Sequence, residues 1–450
     1  MEYQEIKDKV DKLFSQTVSD LEEKVKIPSI SKKTFDQKNV LQSAIWVKDK
    51  LDQLGIETKI LKSTDAKGNE GAPAVVAKKE IDPNLPTVLL YAHHDVQPVN
   101  LEEWLSEPFS PTKKNGRLYG RGAADDGAGL AIHIGVLRLF GDNLPVNVKL
   151  FIEGEEEIGS PSFANFIKTY KDDLEADVIV VADSQNWAIG TPSITTQLRG
   201  VCSMELILKI LDHPVHSGGY SGPCLDALTA MCHWISKLHD NKGNVIVPGL
   251  LSKEDPPFDY DETSFRKDSG LLEGVPLAGD GNITGKLWHK PSISTIGLDA
   301  VDVDNSSNTL LPRCRARISL RVAPGQTANE AGDALKKYLL DNIPFGAKGE
   351  VNILEKGNPF ENKSASKAVQ AAEEAFTMAW ENPCNLTGMG GSIPFTSDLQ
   401  KVFPQAQILI TGVEDPDSRA HSANESVDLE ELKKAYLGQC YMLKKIAEVF

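Results

Sequence analysis

One apolar run ends in three polar residues and sets the architecture of the chain: Thr87-Val88-Leu89-Leu90-Tyr91-Ala92-His93-His94-Asp95. Continuous apolar runs of this kind are typical of parallel strands that are buried on both faces. Further runs of the same kind lie at residues 146–152, 177–182 and 406–411. Helical spacing of apolar residues is found at 10–25, 41–54, 128–140, 161–174 and 429–449. The sequence therefore predicts an α/β fold with a parallel-rich central sheet flanked by helices.

The pattern changes between residues 199 and 356. Strand patterns there lie at 202–210, 292–296, 314–322 and 350–354, and helix patterns lie at 225–238 and 328–340. Their order, strand-helix-strand-strand-helix-strand, predicts a smaller α+β unit of the ferredoxin-like kind. We therefore expect a first domain formed by residues 1–198 and 357–450, interrupted by a second domain at 199–356. A chain of 450 residues is also longer than one hydrophobic core usually organises.

Composition excludes several classes of partner. The chain has 48 Lys and Arg residues against 64 Asp and Glu residues, a net charge of −16, which disfavours nucleic acid and anionic membranes. No run approaches the roughly 18 apolar residues of a membrane span, and the first residues do not resemble a signal peptide. The six cysteines form no C-x-x-C pair, which argues against a zinc ribbon or a secreted disulfide framework. We expect a cytoplasmic protein whose partners are small molecules or proteins.

Polar residues follow the predicted parallel strands where each strand ends. His93 and Asp95 close the first strand, Glu153 to Glu157 follow the second, and Asp183 follows the third. His421 lies ten residues beyond the fourth strand. Because ligands bind outside the carboxyl ends of strands in open α/β sheets, we expect these side chains to converge on one rim.

A further acidic pair, Asp125-Asp126, lies just before a predicted helix. Taken alone, each fragment is more typical of a surface histidine, a solvated acidic turn or a helix cap. Their joint position favours another interpretation, because crowded carboxylates repel one another unless protons or cations neutralise them. Mixed imidazole and carboxylate ligands suit Zn²⁺ and similar ions. The residues therefore predict a dinuclear metal site.

The other histidines are interpreted as structural. His133 lies in an apolar helix pattern and is expected to pack in the core. Surface or partly buried positions are expected for His233, His239 and His289. Alternation along an extended segment points His94 away from His93 and Asp95.

Several ordered blocks of the sequence carry a family resemblance. They are Tyr91–Pro98, Trp104 with Glu107–Phe109, Leu118–Asp126, Glu153–Ser160, Asp212–Gly219, Gly390–Pro394 and His421–Glu425. Together they closely resemble the M20 family of metallopeptidases, in particular its carnosinase-like dipeptidase branch. The resemblance implies a zinc-exopeptidase-like catalytic domain interrupted by a lid and dimerisation domain.

The resemblance also implies a set of metal ligands. His93 and Asp183 would bind one ion, Glu157 and His421 would bind the other, and Asp125 would bridge the two. The implied cofactor is two Zn²⁺ per chain, with Mn²⁺ or Co²⁺ as alternatives.

Two further residues receive roles from the same resemblance. Asp95 would orient His93, since a carboxylate bound to the remote ring nitrogen fixes the tautomer of a ligand histidine. Glu156 would be the general base, activating a hydroxide that bridges the metals and attacks the amide bond of a dipeptide. We expect Glu156 and Glu157 to lie on an extended segment, where neighbouring side chains point opposite ways.

Substrate contacts are implied for residues of the second domain and beyond it. His216 resembles a family histidine that reaches the oxyanion from a neighbouring subunit, which implies a homodimer. Arg321 resembles an arginine that holds a substrate carboxylate, and Gly391 and Ser392 fall in a substrate-binding block. Local sequence alone describes His216 as a loop residue and Arg321 as a surface strand residue.

Two alternatives remain open. An M20 deacylase acting on N-acyl amino acids would use the same metals and base, although the Trp104–Phe109 block and the long stretch 251–291 favour a dipeptidase. A catalytically silent scaffold that binds metal or peptide is disfavoured because Glu156 and every ligand are present. The chain departs from the family pattern at Gly127–Gly129 and at Gly388-Met389, which puts fine specificity in doubt.

Overall fold

The computed structural model describes residues 1–256, 258–362, 366–391 and 394–450, with only the backbone of Pro394. The chain forms two compact units. The larger unit comprises Met1–Thr196, Asn362–Thr387 and Asp398–Phe450, and the smaller unit comprises Gln197–Glu361 and Gly388–Ser397. The predicted second domain, 199–356, overlaps the smaller unit, whose bounds differ by a few residues and include the second segment. The domain boundaries themselves stay a prediction.

Strands and helices are numbered along the chain. The strands are β1 Glu57–Leu61, β2 Ala74–Lys79, β3 Thr87–His93, β4 Thr112–Lys114, β5 Arg117–Tyr119, β6 Asn147–Glu153, β7 Val178–Val181, β8 Ser193–Leu198, β9 Gly200–Lys209, β10 Val215–His216, β11 Ser292–Leu298, β12 Thr309–Leu310, β13 Arg313–Val322, β14 Lys348–Gly357, β15 Phe360–Glu361, β16 Asn385–Met389, β17 Gln407–Ile410 and β18 Ser426–Asp428. The helices are α1 Tyr3–Val25, α2 Lys38–Gln53, α3 Gly127–Phe140, α4 Phe163–Thr169, α5 Lys171–Leu174, α6 Ser217–Tyr220, α7 Ala227–Ser236, α8 Glu262–Ser269, α9 Ala328–Asp341, α10 Lys367–Trp380, α11 Pro394–Val402 and α12 Leu429–Val449. None of the described helices is both long and apolar enough to cross a membrane.

The sheet of the larger unit has a parallel centre. Its strands follow the order β1-β2-β6-β3-β7-β17-β8. β3 pairs in parallel with both β6 and β7, and β17 pairs in parallel with β7. These are the four strands that the apolar runs predict, and the α/β fold class is confirmed. The antiparallel pairs β1–β2 and β2–β6 extend the sheet beyond the predicted strands.

Helices cover this sheet with a large apolar core. α1, α3 and α12 pack against one another, α10 packs against α12, and nearly every residue of α3 is buried. Gly135 lets α3 approach its neighbours closely, because a Cβ atom there would lie 2.8 Å from Thr17 Oγ1 and 3.2 Å from the Tyr436 ring. The Tyr436 hydroxyl donates to the Gly135 carbonyl at 2.8 Å. α12 begins at Leu429, where the Asp428 side chain accepts hydrogen bonds from the first-turn amides.

The smaller unit contains a four-stranded antiparallel sheet in the order β11-β13-β9-β14. α7 and α9 pack against it and close a second apolar core that includes Met204, Trp234 and Leu335. A capping box formed by Thr327 and Glu330 begins α9. The predicted strand-helix-strand-strand-helix-strand order is confirmed, with the short elements β10, α6, α8 and β12 added between its members.

Candidate metal centre

Six side chains meet at the carboxyl edge of the parallel sheet in the larger unit. His93 is the last residue of β3, and Asp183 lies two residues beyond β7. Glu156 and Glu157 lie in a turn after β6, Asp125 lies just before α3, and His421 lies in the loop after β17. Each parallel strand ends at the same edge, so the register of β6, β3, β7 and β17 brings these segments together.

The six side chains form two groups with metal-binding spacing. His93, Glu156 and Asp183 form one group, and the ligand atoms of these residues lie within 4.8 Å of one another. The second group contains Asp125, Glu157 and His421 with the same spacing. His421 Nε2 lies 2.9 Å from Asp125 Oδ2 and 3.0 Å from Glu157 Oε2.

Asp125 links the two groups. Its Oδ1 atom lies 2.9 Å from His93 Nε2, while its Oδ2 atom faces His421. The Asp125 side chain is 8% exposed and that of Glu157 is 2% exposed, whereas His421 is 57% exposed. The site is therefore buried on the side of the sheet and reachable from the side of His421.

Crowding and burial raise the pKa values of three acids of the site, Glu156, Glu157 and Asp183. Burial raises the pKa of Glu157 to about 7 and that of Asp183 to about 6, and neighbouring carboxylates add to both shifts. Burial also raises the pKa of Glu156 well above its usual range. Hydrogen bonds with Asp125 and Glu157 raise the pKa of His421 to about 11. Four carboxyl groups so close together are stabilised by protons or by cations.

The donor set fits a pair of divalent transition-metal ions. Two imidazoles and four carboxylates offer the nitrogen and oxygen donors that Zn²⁺ binds in catalytic sites. The two groups adjoin through Asp125, whose two oxygens face different histidines. These residues could hold two ions with a shared carboxylate.

Asp95 connects His93 to the acidic turn. Its carboxylate accepts hydrogen bonds from the backbone N–H groups of Glu156 at 3.2 Å and Glu157 at 3.1 Å. His93 Nδ1 lies 3.1 Å from the Asp95 carbonyl oxygen and 3.5 Å from its carboxylate. Asp95 thereby contacts both the His93 ring and the turn that carries Glu156 and Glu157.

The prediction of an extended segment at Glu156 and Glu157 is wrong. Residues Glu156–Ile158 form a turn of 3₁₀ helix, which Gly159 ends in a left-handed conformation. The Asp95 carboxylate stabilises this turn by accepting the two adjacent N–H groups. The two glutamates still reach different groups of the site, because successive residues of a 3₁₀ helix are about a third of a turn apart.

Three residues that sequence reasoning left without a role support the centre. Glu425 is fully buried and accepts a hydrogen bond from Arg121 at 2.6 Å. Asp126 Oδ2 accepts the backbone N–H of His93 at 3.1 Å. Gln97 Nε2 donates to Glu157 Oε2 at 2.8 Å. All three fall in the motif blocks, but nothing in their local sequence shows that they face inward.

Three of the four predicted substrate residues lie in the described part of the smaller unit. His216 is exposed at the end of β10, where its backbone pairs with Thr309. Arg321 lies in β13 opposite Ser292, and Gly391 follows β16. Ser392 lies outside the described residues. The roles of these four residues stay predictions.

Among the described residues, the histidines that were interpreted as structural are not members of the two metal-binding groups. His133 is buried, with Nε2 3.0 Å from the Tyr91 carbonyl and Nδ1 2.8 Å from Gln439 Nε2, so its predicted packing role is confirmed. His94 Nε2 lies 2.9 Å from the Pro73 carbonyl. Surface or partly buried positions are found for His233, His239 and His289.

The chain is similar to peptidases of one known family. The sequence profile of Peptidase family M20/M25/M40 matches residues 89–444. The chain belongs to this family. This M20 peptidase is 34% identical over 413 residues to cysteinylglycine-S-conjugate dipeptidase of Corynebacterium striatum, with 89% of each chain covered. The resemblance that the motif blocks predict is confirmed.

Solved structures agree on the fold of this M20 peptidase. Human carnosine dipeptidase 1 matches it with a TM-score of 0.84 at 23% identity, over 100% of this chain and 99% of that chain. The dipeptidase Dug1p of Saccharomyces cerevisiae matches with a TM-score of 0.83 at 23% identity, over 99% of both chains. At this identity the likeness establishes the α/β fold and its overall arrangement of elements.

Proposed function

We propose that this M20 peptidase hydrolyses the amide bond of dipeptides, with two divalent metal ions bound at the centre. The observation that carries the proposal is the linkage of the two ligand groups by Asp125, whose oxygens lie 2.9 Å from both His93 Nε2 and His421 Nε2. The dipeptidase relative at 34% identity supports the choice of a dipeptide as substrate.

The proposed ligands divide between two ions. His93 and Asp183 would hold one ion, Glu157 and His421 would hold the other, and Asp125 would contribute to both sites. Ions bound there would polarise the amide carbonyl and lower the pKa of water. Zn²⁺ is the proposed metal, with Mn²⁺ and Co²⁺ as alternatives that bind the same donors.

Glu156 is the proposed proton carrier. Its carboxyl group is close to His93 and Asp183, and burial raises its pKa well above the usual range. A carboxylate whose conjugate acid has a raised pKa is a stronger base, and in this form it would accept a proton from attacking water and return it to the leaving amine. Because Glu156 also has metal-binding spacing, a variant that separates proton transfer from metal binding is the decisive test of this role.

Asp95 is proposed to position both parts of this machinery. It holds the Glu156 and Glu157 amides at 3.2 and 3.1 Å and lies against the remote nitrogen of His93. Such a contact fixes the ring orientation of a ligand histidine.

The substrate contacts are proposed by family resemblance. His216 would donate to the oxyanion of a neighbouring subunit in a homodimer, and Arg321 would bind the substrate carboxylate through its planar fork. Gly391 and Ser392 would line the substrate pocket. A cytoplasmic location is proposed with them, supported by six cysteines that form no disulfide.

The proposal is tested with metal-reconstituted protein and a panel of dipeptides, tripeptides and N-acyl amino acids, with products identified by mass. We expect dipeptides to be cleaved at the amide bond. The Glu156→Gln protein serves as the control for a contaminating peptidase. Turnover confined to N-acyl amino acids would overturn the dipeptidase proposal in favour of a deacylase, and failure to cleave any substrate would overturn both.

A further inference from the structure

A buried arginine lies beside the predicted substrate residues of the smaller unit. Arg199 directly precedes β9 and is only 7% exposed. It lies at the same end of the antiparallel sheet as Arg321, because Arg321 pairs with Val201, two residues after Arg199. The backbone N–H of Arg199 donates to the Met389 carbonyl at 3.3 Å, two residues before Gly391. Arg199 therefore adjoins two of the segments to which substrate contacts are assigned.

The Arg199 guanidinium connects two chain segments through neutral acceptors. Its Nε atom donates to the Gly390 carbonyl at 3.2 Å. Its Nη1 atom donates to Ser292 Oγ at 3.1 Å and to the carbonyl oxygens of Lys286 and Lys290 at 3.2 and 3.3 Å. These contacts fix the orientation of the side chain, but none of the acceptors carries a negative charge.

No described acid offsets the buried charge of Arg199. Its hydrogen bonds all go to carbonyl and hydroxyl oxygens, and no described carboxylate forms an ion pair with it. Burial lowers the pKa of Arg199 to about 10, and the positive charge of Arg321 adds to this shift. Buried charges in proteins are ordinarily paired, because an uncompensated charge is costly to remove from water. A buried cation without a described acid therefore favours an anionic ligand.

One nitrogen of the guanidinium remains for such a ligand. The Nη2 atom makes no hydrogen bond with a described residue, and it is not sealed within the protein. Gly390 leaves room beside it, because a Cβ atom at that position would lie 3.0 Å from Nη2. Ser292, which accepts from Nη1, pairs with Arg321 in the sheet. The available donor thus belongs to the same part of the smaller unit as the arginine that is proposed to bind the substrate carboxylate.

We propose that Arg199 is a second cation for the substrate carboxylate, donating from Nη2 to the group that Arg321 also binds. This inference rests on the proposed function and narrows its substrate class to amides whose leaving amine carries a free carboxylate. A carboxylate has two oxygens and about four lone-pair sites, so it can accept from two arginines at once. Its charge would compensate the buried guanidinium of Arg199 only while substrate is bound.

Alanyl-leucine and its C-terminal amide, alanyl-leucinamide, test this role because they differ only in the carboxylate. The kcat/KM for cleavage after alanine is measured for both substrates with the metal-loaded unaltered protein, Arg199→Gln and Arg199→Lys. Arg315→Gln is the matched control, because Arg315 is an exposed arginine of the same sheet that is paired with Asp299 at 3.0 Å. The ratio of the two kcat/KM values does not depend on the fraction of folded enzyme, so partial unfolding cannot imitate the expected result.

We expect Arg199→Gln to lower kcat/KM for alanyl-leucine about 10–100-fold, mainly by raising KM, because a hydrogen bond to a charged group is lost. The kcat/KM for alanyl-leucinamide should change less than about threefold, since the amide carries no charge to bind. Arg199→Lys keeps the charge without the planar fork and should lose less than Arg199→Gln. Arg315→Gln should match the unaltered protein on both substrates.

Equal losses on the two substrates would overturn the proposal, because Arg199 would then only support the surrounding segments. An unaltered protein that cleaves the acid and the amide equally well would overturn it too. If N-acyl amino acids prove to be the substrates, N-acetyl-leucine and N-acetyl-leucinamide replace the dipeptide pair. Failure of the dipeptidase proposal therefore leaves this test decisive, whereas a protein that cleaves none of the four compounds would overturn both proposals.

Discussion

Replacing Glu425 by alanine should loosen the segment that carries Asp125. Glu425 is fully buried, and its carboxylate accepts one hydrogen bond from Arg121 at 2.6 Å. It also accepts the backbone N–H groups of Gly122, Ala124 and Asp125, at 3.1, 2.9 and 3.1 Å. One side chain thus accepts hydrogen bonds from four donors. Three of these donors are backbone N–H groups in the turn that leads to Asp125, the proposed bridging residue.

The cost follows from the groups that Glu425→Ala would leave behind. Breaking a buried ion pair from one side destabilises a protein by about 3–5 kcal/mol, because the remaining charge is uncompensated. Each unsatisfied backbone donor adds up to about 1–3 kcal/mol, although relaxation of the turn toward solvent would recover much of this. We expect a loss of about 4 kcal/mol in the free energy of unfolding. Glu425→Gln keeps one acceptor oxygen and should lose less.

Urea unfolding of the metal-free protein, followed by circular dichroism, measures this cost. Glu448→Ala is the matched control, because Glu448 is an exposed acid paired with Lys444 at 3.3 Å and such pairs contribute at most about 1 kcal/mol. Metal affinity of Glu425→Ala should fall about 10–100-fold, as for other residues that support metal ligands. A loss of stability no larger than that of Glu448→Ala would refute the anchoring role.

Four further predictions address the centre and its surroundings. Metal analysis of reconstituted protein should give close to two divalent ions per chain, and full activity with one ion or fewer would contradict the dinuclear proposal. Glu156→Gln should nearly abolish turnover with metal content intact, whereas Glu157→Gln should lose metal; the reverse phenotypes would show that the roles are exchanged. Burial lowers the pKa of His133 from 6.5 to about 4. As the pH falls, the His133 ring therefore binds a proton in the unfolded state at a higher pH than in the folded state. The free energy of unfolding should decrease as the pH falls from about 6.5 to about 4. His133→Gln should remove roughly 2–3 kcal/mol of that loss, measured as the difference in unfolding free energy between about pH 7 and about pH 4.5, and unchanged pH dependence would refute it. His216→Ala should lower turnover about 10²–10³-fold with metal retained, and mixing it with Glu156→Gln chains should restore activity if subunit exchange is verified; a mixture as inactive as its parents would exclude the cross-subunit role.

The parallel strands could be predicted from sequence because each is buried on both faces. The apolar run at 406–411 appears as Gln407–Ile410, and the run at 146–152 appears as Asn147–Glu153. β1 escaped prediction because its five residues, Glu57–Leu61, mix charged and apolar side chains that are all at least partly exposed. β4, β5 and β18 have three residues each, too few to show a period.

The candidate site could be predicted wherever a polar residue directly follows a buried strand. His93 and Asp183 lie in such positions, and the shared edge of parallel strands explains their convergence. The shape of the acidic turn could not be predicted in this way. It depends on Asp95, which is 61 residues from Glu156 in the chain, and local sequence contains no sign of that contact.

Asp126 and Glu425, which sequence reasoning left without a role, share one property with Asp95: their carboxylates accept hydrogen bonds from backbone N–H groups. Asp95, Asp126 and Glu425 hold the turn, the end of β3 and the Asp125 segment in this way. Their burial places three more acids beside the four carboxyl groups of the centre, and that charge needs compensation from the protein itself. Arg121 supplies part of it through its contact with Glu425.

Lys24 supplies another part of this compensation. It is 2% exposed at the end of α1, where its ammonium group donates to Ser29 Oγ at 3.2 Å. Burial lowers its pKa to about 8, against the opposing influence of Asp95, Glu425 and Asp126. A lysine buried with one neutral partner would be costly anywhere else in the core. Lys24 can be buried here because its positive charge offsets the charge of Asp95, Asp126 and Glu425. Those acids are themselves buried because they support the segments that carry the proposed metal ligands.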